Sequence, residues 1–247
     1  MATARGRGFW GVLLPGVVGG VFALSLLSMA YADDVSKGMG ILQNRCASCH
    51  NLTGPAPSTL HALWARKGPD LFYAGNKFRK SWLVSWLQKP DRIRPAGEFY
   101  ADHIKQGPTH DVVDESTLKP HVVLTKEDSV DVAAALMTLH AHDDLIQKEQ
   151  VTPGTISKTM GKMVFDKFLG CIACHRIAPD YGGLSGPELY TAGSRLNPAF
   201  MASYIRSPQA WDPKIWMPNK HVNDARIQQL VHYLESMKSG GSAHESN

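Results

Sequence analysis

Residues 168–179 read FLGCIACHRIAP, and the segment 45–54 reads RCASCHNLTG. Each places two cysteines three positions apart with a histidine directly after the second: Cys46, Cys49 and His50, then Cys171, Cys174 and His175. These are all four cysteines of the chain. Redox-active CxxC pairs would not need a histidine after the second thiol in both copies. A four-cysteine zinc site gathers its pairs within roughly 15–20 residues, whereas these lie more than a hundred apart. Structural disulfides would not favour two such short loops. Covalent haem attachment uses every residue of the pattern. Cysteines at i and i+3 share one face of a helical turn, so both sulfurs can form thioethers along one side of a porphyrin. The adjoining imidazole then serves as the proximal iron ligand. Two haem c groups are therefore expected, held by Cys46 and Cys49 with His50, and by Cys171 and Cys174 with His175.

Outward from these motifs the chain repeats itself. KGPDLFYAGNKFRKSWLVSWLQKPDRIRP from Lys67 and SGPELYTAGSRLNPAFMASYIRSPQAWDP from Ser185 match at a constant offset of 118. Gly68 falls on Gly186, Trp86 on Tyr204 and Pro95 on Pro213. Each half closes on a helix. Thr125 is positioned to cap the first, with Asp128 reaching back from the third helical position. Val132, Leu136 and Leu139 follow at helical spacing. Asn223 is positioned to cap the second, ahead of Ile227, Leu230, Val231 and Leu234. No alternating strand pattern stands out. The polar stretch 141–157 reads as a linker, and the SGGSAHESN tail as disordered.

The 247 residues carry a net charge of +4, with 43% hydrophobic and 19% charged residues, an ordinary globular balance and not that of a nucleic-acid binder. Arg5 and Arg7 precede an uncharged run, GFWGVLLPGVVGGVFALSLLSMAYA, which ends in A-x-A before Asp33. That is the pattern of a cleaved secretory signal. An uncleaved membrane anchor is the alternative, since the run is nearly long enough to span a bilayer. Either way the rest of the chain is expected outside the cytoplasm, in the periplasm or an equivalent compartment, where CxxCH motifs also receive haem.

Both halves resemble small class I cytochrome c domains. The resemblance rests on CxxCH after a short helix, the G-P-x-L and G-x-[KR]-[FL] segments, the aromatic helix, the proline loop and the closing helix. It implies an all-α fold of two tandem cytochrome c-like domains, each a small helical fold around one haem. The expected boundaries are a signal over 1–32, a first domain over 33–142, a linker over 143–157, a second domain over 158–239 and a tail over 240–247. It also implies that a methionine from the loop before the last helix takes the second face of each iron. Met217, followed by Pro218, fits this in the second half. The first half has no methionine between Cys49 and Met137, and its loop is longer by 20 residues. That insertion supplies histidines instead. His121 is the first candidate, His103 the second and Lys119 the third, because a lysine must first lose its proton. An open sixth position is a further alternative.

Lys77 and Arg195 are equivalent across the repeat and are candidates to meet haem propionates. Trp82, Trp86, Phe200 and Tyr204 are expected to pack around the haems. Lys77, Arg79, Lys80, Lys89, Arg92 and Arg94 form a basic stretch, able either to steer an acidic redox partner or to serve as a solvated face. The resulting expectation is an exported diheme cytochrome c, passing single electrons between other redox proteins. A diheme enzyme resembling thiosulfate dehydrogenases or peroxidases, with the first haem as reaction centre, is one alternative. A cytochrome subunit of a membrane oxidoreductase is another.

Overall fold

A computed structural model describes residues 34–237 together with Met1. The signal or anchor segment and the polar tail lie outside the described residues. What is described is mostly helical, with four strands of two or three residues.

The repeat is visible element by element. In the first half, helix α1 over 34–41 runs into a π-helical turn, Leu42–Cys46, that delivers the first cysteine. α2 (Leu60–Trp64), α3 (Ala74–Lys77) and α4 (Lys80–Gln88) follow, then α5 (Lys126–Leu136). α6 (Asp143–Gln147) joins the halves. The second half contains α7 (Lys158–Met163) with its own π-turn Val164–Phe168, then α8 (Ala192–Arg195), α9 (Pro198–Arg206), α10 (Pro208–Trp211) and α11 (Asp224–Ser236). α3 and α8, like α4 and α9, occupy identical spans 118 residues apart. The caps of α5 and α11, Thr125 and Asn223, are only 98 apart, so the 20-residue insertion falls entirely between α4 and α5.

Local chemistry explains these helices. The Thr125 side chain accepts from the Asp128 amide at 3.0 Å, and Asn223 accepts from the Arg226 amide at 3.0 Å. Each bond satisfies a donor that a helix start leaves free. The Asp128 carboxylate lies 3.7 Å from Arg45. Ile227, Leu230, Val231 and Leu234 are all buried, as their spacing requires. In each half the first helix crosses the last at a glycine. A methyl on Gly38 would lie 1.9 Å from the Asp131 carbonyl oxygen, and one on Gly161 would lie 2.3 Å from the Tyr233 ring. Neither approach tolerates a side chain.

The halves share a core. Phe72 and Tyr73 of the first half are buried with Phe200, Trp211, Ile227 and Val231 of the second. Trp211 is completely enclosed and donates its indole N–H to Ser203 Oγ at 3.0 Å; burying such a ring contributes about 3 kcal/mol. The joint has local two-fold character. Phe78 bridges Leu196, its own counterpart at offset 118. The Arg79 amide donates to the Arg195 carbonyl and the Asn197 amide to the Lys77 carbonyl, each at 2.9 Å. These two bonds exchange equivalent residues.

Three features differ from the expectations. The 143–157 segment contains α6, whose Leu145 and Ile146 pack against the shared core, where 141–157 read as plain linker. The insertion forms an antiparallel hairpin, β1 (Ile104–Gln106) with β2 (Asp111–Val113). A second hairpin joins β3 (Arg176–Ala178) to β4 (Tyr181–Gly182) just after the second CxxCH. Strands this short carry too few alternations to register as a pattern.

Candidate functional site

Both CxxCH histidines are fixed in the same way. His50 Nδ1 lies 2.8 Å from the Pro69 carbonyl oxygen, and His175 Nδ1 lies 2.7 Å from that of Pro187. Pro69 and Pro187 are themselves equivalent at offset 118. A backbone carbonyl can only accept, so Nδ1 carries the proton and Nε2 presents its lone pair. This is the tautomer and orientation a metal-ligating histidine requires. The glycine before each proline makes room for the ring. A methyl on Gly68 would lie 2.6 Å from His50, and one on Gly186 would lie 2.7 Å from His175. The G-P pair of the repeat therefore does two jobs, glycine admitting the imidazole and proline's carbonyl aiming it.

Burial keeps both rings neutral. Desolvation lowers the His50 pKa below the usual histidine range, against the opposing pull of the Pro69 carbonyl. At His175 burial, reinforced by Arg94 and Arg195, takes it down to about 4. The four cysteines are free of disulfides. Burial raises the Cys46 thiol and pushes Cys171 up to about 11. Catalytic dithiols need the opposite, a stabilised thiolate, so the arrangement does not suit disulfide exchange.

The candidates for the opposite face at His50 separate clearly. His121 stands beside His50, with ring centroids 6.1 Å apart. Two imidazoles gripping one metal through nitrogens at about 2 Å place their ring centres roughly 6 Å apart. His121 Nδ1 lies 2.8 Å from the Val122 carbonyl oxygen, which again leaves Nε2 free. Trp86 packs on the ring of His121 at 4.7 Å, and Trp82 stacks on Trp86 at 5.3 Å. His103 is held inside the insertion: its Nδ1 lies 2.8 Å from Thr117 Oγ1, and its carbonyl accepts from the Asp114 amide at 2.8 Å. Lys119 is exposed.

In the second half, Met217 sits in the segment between α10 and α11. Gln209 Nε2 donates to the Met217 carbonyl at 2.8 Å and to that of Ile215 at 3.3 Å, fixing the main chain there. Phe200 is buried, and Tyr204, Trp82 and Trp86 are half-buried.

Lys77 and Arg195 are not alike in their surroundings. The Arg195 guanidinium is buried and engaged by the Glu188 carboxylate at 3.5 Å, by the Glu188 carbonyl and by Thr191. Lys77 faces the rings of Phe78, Tyr73 and Phe200 at 4.9–5.7 Å. Burial, with Arg94 and Arg195 nearby, lowers its pKa to about 7. Of the two equivalents, Lys77 is the one suited to receive a carboxylate from a bound group. Three of the six basic residues of the stretch are ion-paired: Arg79 with Glu235 at 3.1 Å, Arg92 with Glu115 at 2.6 Å and Arg94 with Glu98 at 3.3 Å.

A buried ionic cluster that no sequence pattern signals joins the two halves. Arg66 lies 3.1 Å from Asp70, 2.9 Å from Asp212 and 3.8 Å from Glu98. Its Asp212 partner is 146 positions away, and no local pattern signals such a pairing. No helix among the described residues is long and apolar enough to cross a membrane. No family model, curated protein or solved structure matches the chain.

Proposed function

We propose that this chain is an exported diheme electron carrier of the cytochrome c kind, with one haem c linked to Cys46 and Cys49 and the other to Cys171 and Cys174. The observation that carries the reading is the repeated carbonyl anchor on His50 and His175. It sets two neutral imidazoles with Nε2 free, each directly after a paired-thiol turn. A bound haem supplies a one-electron iron couple; the protein supplies its ligands, its desolvation and its orientation.

In this reading His50 and His121 would both hold the first iron, and the 6.1 Å between their ring centres supports the assignment. Met217 and His175 would hold the second. Lys77 receives a propionate carboxylate of the first group, while Arg195, already engaged by Glu188, shapes the field at the second. Methionine raises a haem potential relative to a second histidine. Two such ligand sets would favour electron flow from the first site to the second, between a donor and an acceptor protein. The segment at 8–32 either targets the chain for export or tethers it to the membrane.

The test is the exported protein itself. Mass spectrometry and the pyridine hemochrome assay should find two covalently bound haems per chain. Low-temperature EPR of the oxidised protein should show two low-spin signals, and His121→Ala should convert one of them to high-spin while His103→Ala leaves both. A chain exported intact without covalent haem refutes the proposal.

His121 is exposed and lies between Pro120 and the exposed Val122 and Val123. That favours one second reading, a redox enzyme in which His121 yields its place to substrate. Binding of cyanide or carbon monoxide to the first haem of the wild-type protein would distinguish it from the carrier.

A further inference from the structure

The second half's methionine segment is held from outside as well as from within. Asp212, at its foot, is gripped by Arg66 of the first half at 2.9 Å. Trp216, directly before Met217, is met by two residues of the first half: the Phe99 ring at 6.1 Å and 66°, and the Arg94 guanidinium at 5.9 Å. Phe99 in turn stacks on Trp64, the last residue of α2, at 5.0 Å and 20°. A main-chain bond closes the same seam, the Glu188 amide donating to the Ile93 carbonyl at 2.7 Å.

The register of the repeat adds meaning to these contacts. At offset 118, Phe99 occupies the position of Met217 in its own half. The residue that would otherwise point a ligand at the first iron is instead an aromatic ring packed across the joint. The insertion begins just beyond it and brings His121 back to His50 from further along the chain.

We propose that Phe99, backed by Trp64, is a positioning residue for the other half: it holds Trp216 and thereby keeps Met217 on the second iron. The proposal rests on the reading that Met217 ligates there. A thioether is a weak, neutral ligand with no charge to hold it in place. Its occupancy depends on how often the surrounding segment opens, and an ordered aromatic contact against the adjacent residue reduces that opening. The first half thus controls the ligand set, and with it the potential, of the second.

The test uses the complete, haem-loaded protein. Methionine–iron(III) ligation gives a far-red charge-transfer band, and the pH at which half of it is lost reports how readily the methionine leaves. Phe99→Ala should lower that midpoint by about one pH unit, a tenfold rise in the methionine-off population. Phe99→Leu should restore most of it, and Lys105→Ala on the hairpin should match wild type. The low-spin EPR signal of the first haem should be the same in all of them. An unchanged midpoint in Phe99→Ala overturns the proposal while leaving the ligation reading intact. So does a loss that Phe99→Leu fails to repair, or one accompanied by equal change at the first haem. A wild-type protein lacking the band overturns the ligation reading and this proposal with it.

Discussion

Arg66 offers the sharpest test of how the two halves are joined. Its guanidinium sits between Asp70 and Asp212, each only 2% exposed, and near Glu98. Arg66→Met keeps most of the side-chain stem and removes the charge. Two buried carboxylates from different halves then face each other without a cation. Breaking a buried pair from one side costs about 3–5 kcal/mol, because the remaining charge has lost both water and partner. For a chain of this size each kcal/mol is worth roughly 2–4 °C, so the melting temperature should fall by roughly 10 °C. The pH dependence supplies a second readout. Burial already raises the Asp70 pKa, Asp212 adds to this, and Arg66 pulls it down; without Arg66 it rises further. A carboxyl whose folded pKa is raised binds more protons folded than unfolded, so its contribution to stability grows as pH falls through that pKa. The deficit of Arg66→Met against wild type should therefore shrink between pH 7 and pH 4.5. Adding Asp212→Asn should recover part of it at pH 7. Urea denaturation at both pH values measures all three. A deficit below about 1 kcal/mol at pH 7, or one equal at the two pH values, would show that the cluster does not work as a buried charge network.

Two further outcomes test other parts of the structure. Residues 34–147 and 148–237, expressed separately, should each fail to give a stable folded monomer, because Phe72 and Tyr73 lose their cover when the shared core is split. Circular dichroism melts of the fragments, alone and mixed, would reveal independent folding if it occurs. Trp86→Ala should loosen His121, whose ring it contacts at 4.7 Å, and raise the high-spin fraction of the first haem in EPR, with Trp86→Phe close to wild type.

The parts of this structure that the sequence made legible are those governed by nearby residues. Thr125 and Asn223 announce their helices because a cap acts within three positions. The stripe from Ile227 to Leu234 is readable because helical periodicity repeats within two turns. The CxxCH motif is legible for the same reason. The offset of 118 goes further, since it implies matched elements in the two halves. It also marks Phe99 as the residue standing where a methionine is expected. What stayed hidden depends on distant partners. The bond between Arg66 and Asp212 has no local signature, and neither does the exchange between Lys77 and Asn197. Lys77 and Arg195 look equivalent in sequence. They differ because Glu188 faces Arg195, while the corresponding position before Lys77 is Asp70, which pairs with Arg66 instead. α6 leaves no mark in the sequence because a five-residue helix with one apolar pair, Leu145 and Ile146, is too short to show a period.

The difference between the two sites extends beyond their ligands. Arg94 and Arg195 both act electrostatically on His175, whereas at His50 the nearby charges are Glu98 and Lys77, of opposite sign. Positive charge favours the reduced form of an iron site, so in the proposed diheme reading the protein field and the ligand set would push the second potential in the same direction. A unit charge on the order of 10 Å away, at an effective dielectric of about 20, is worth about 1.7 kcal/mol, or about 70 mV for one electron. Arg94→Gln removes one such charge, while its 3.3 Å partner Glu98 keeps Arg66 as a counter-ion at 3.8 Å. Redox titration of the haem-loaded variant should therefore show the higher-potential haem falling by tens of millivolts, and the gap between the two haems narrowing. If the lower-potential haem fell as far, Arg94 would be acting on both sites equally. The gap would then have to come from the ligands alone.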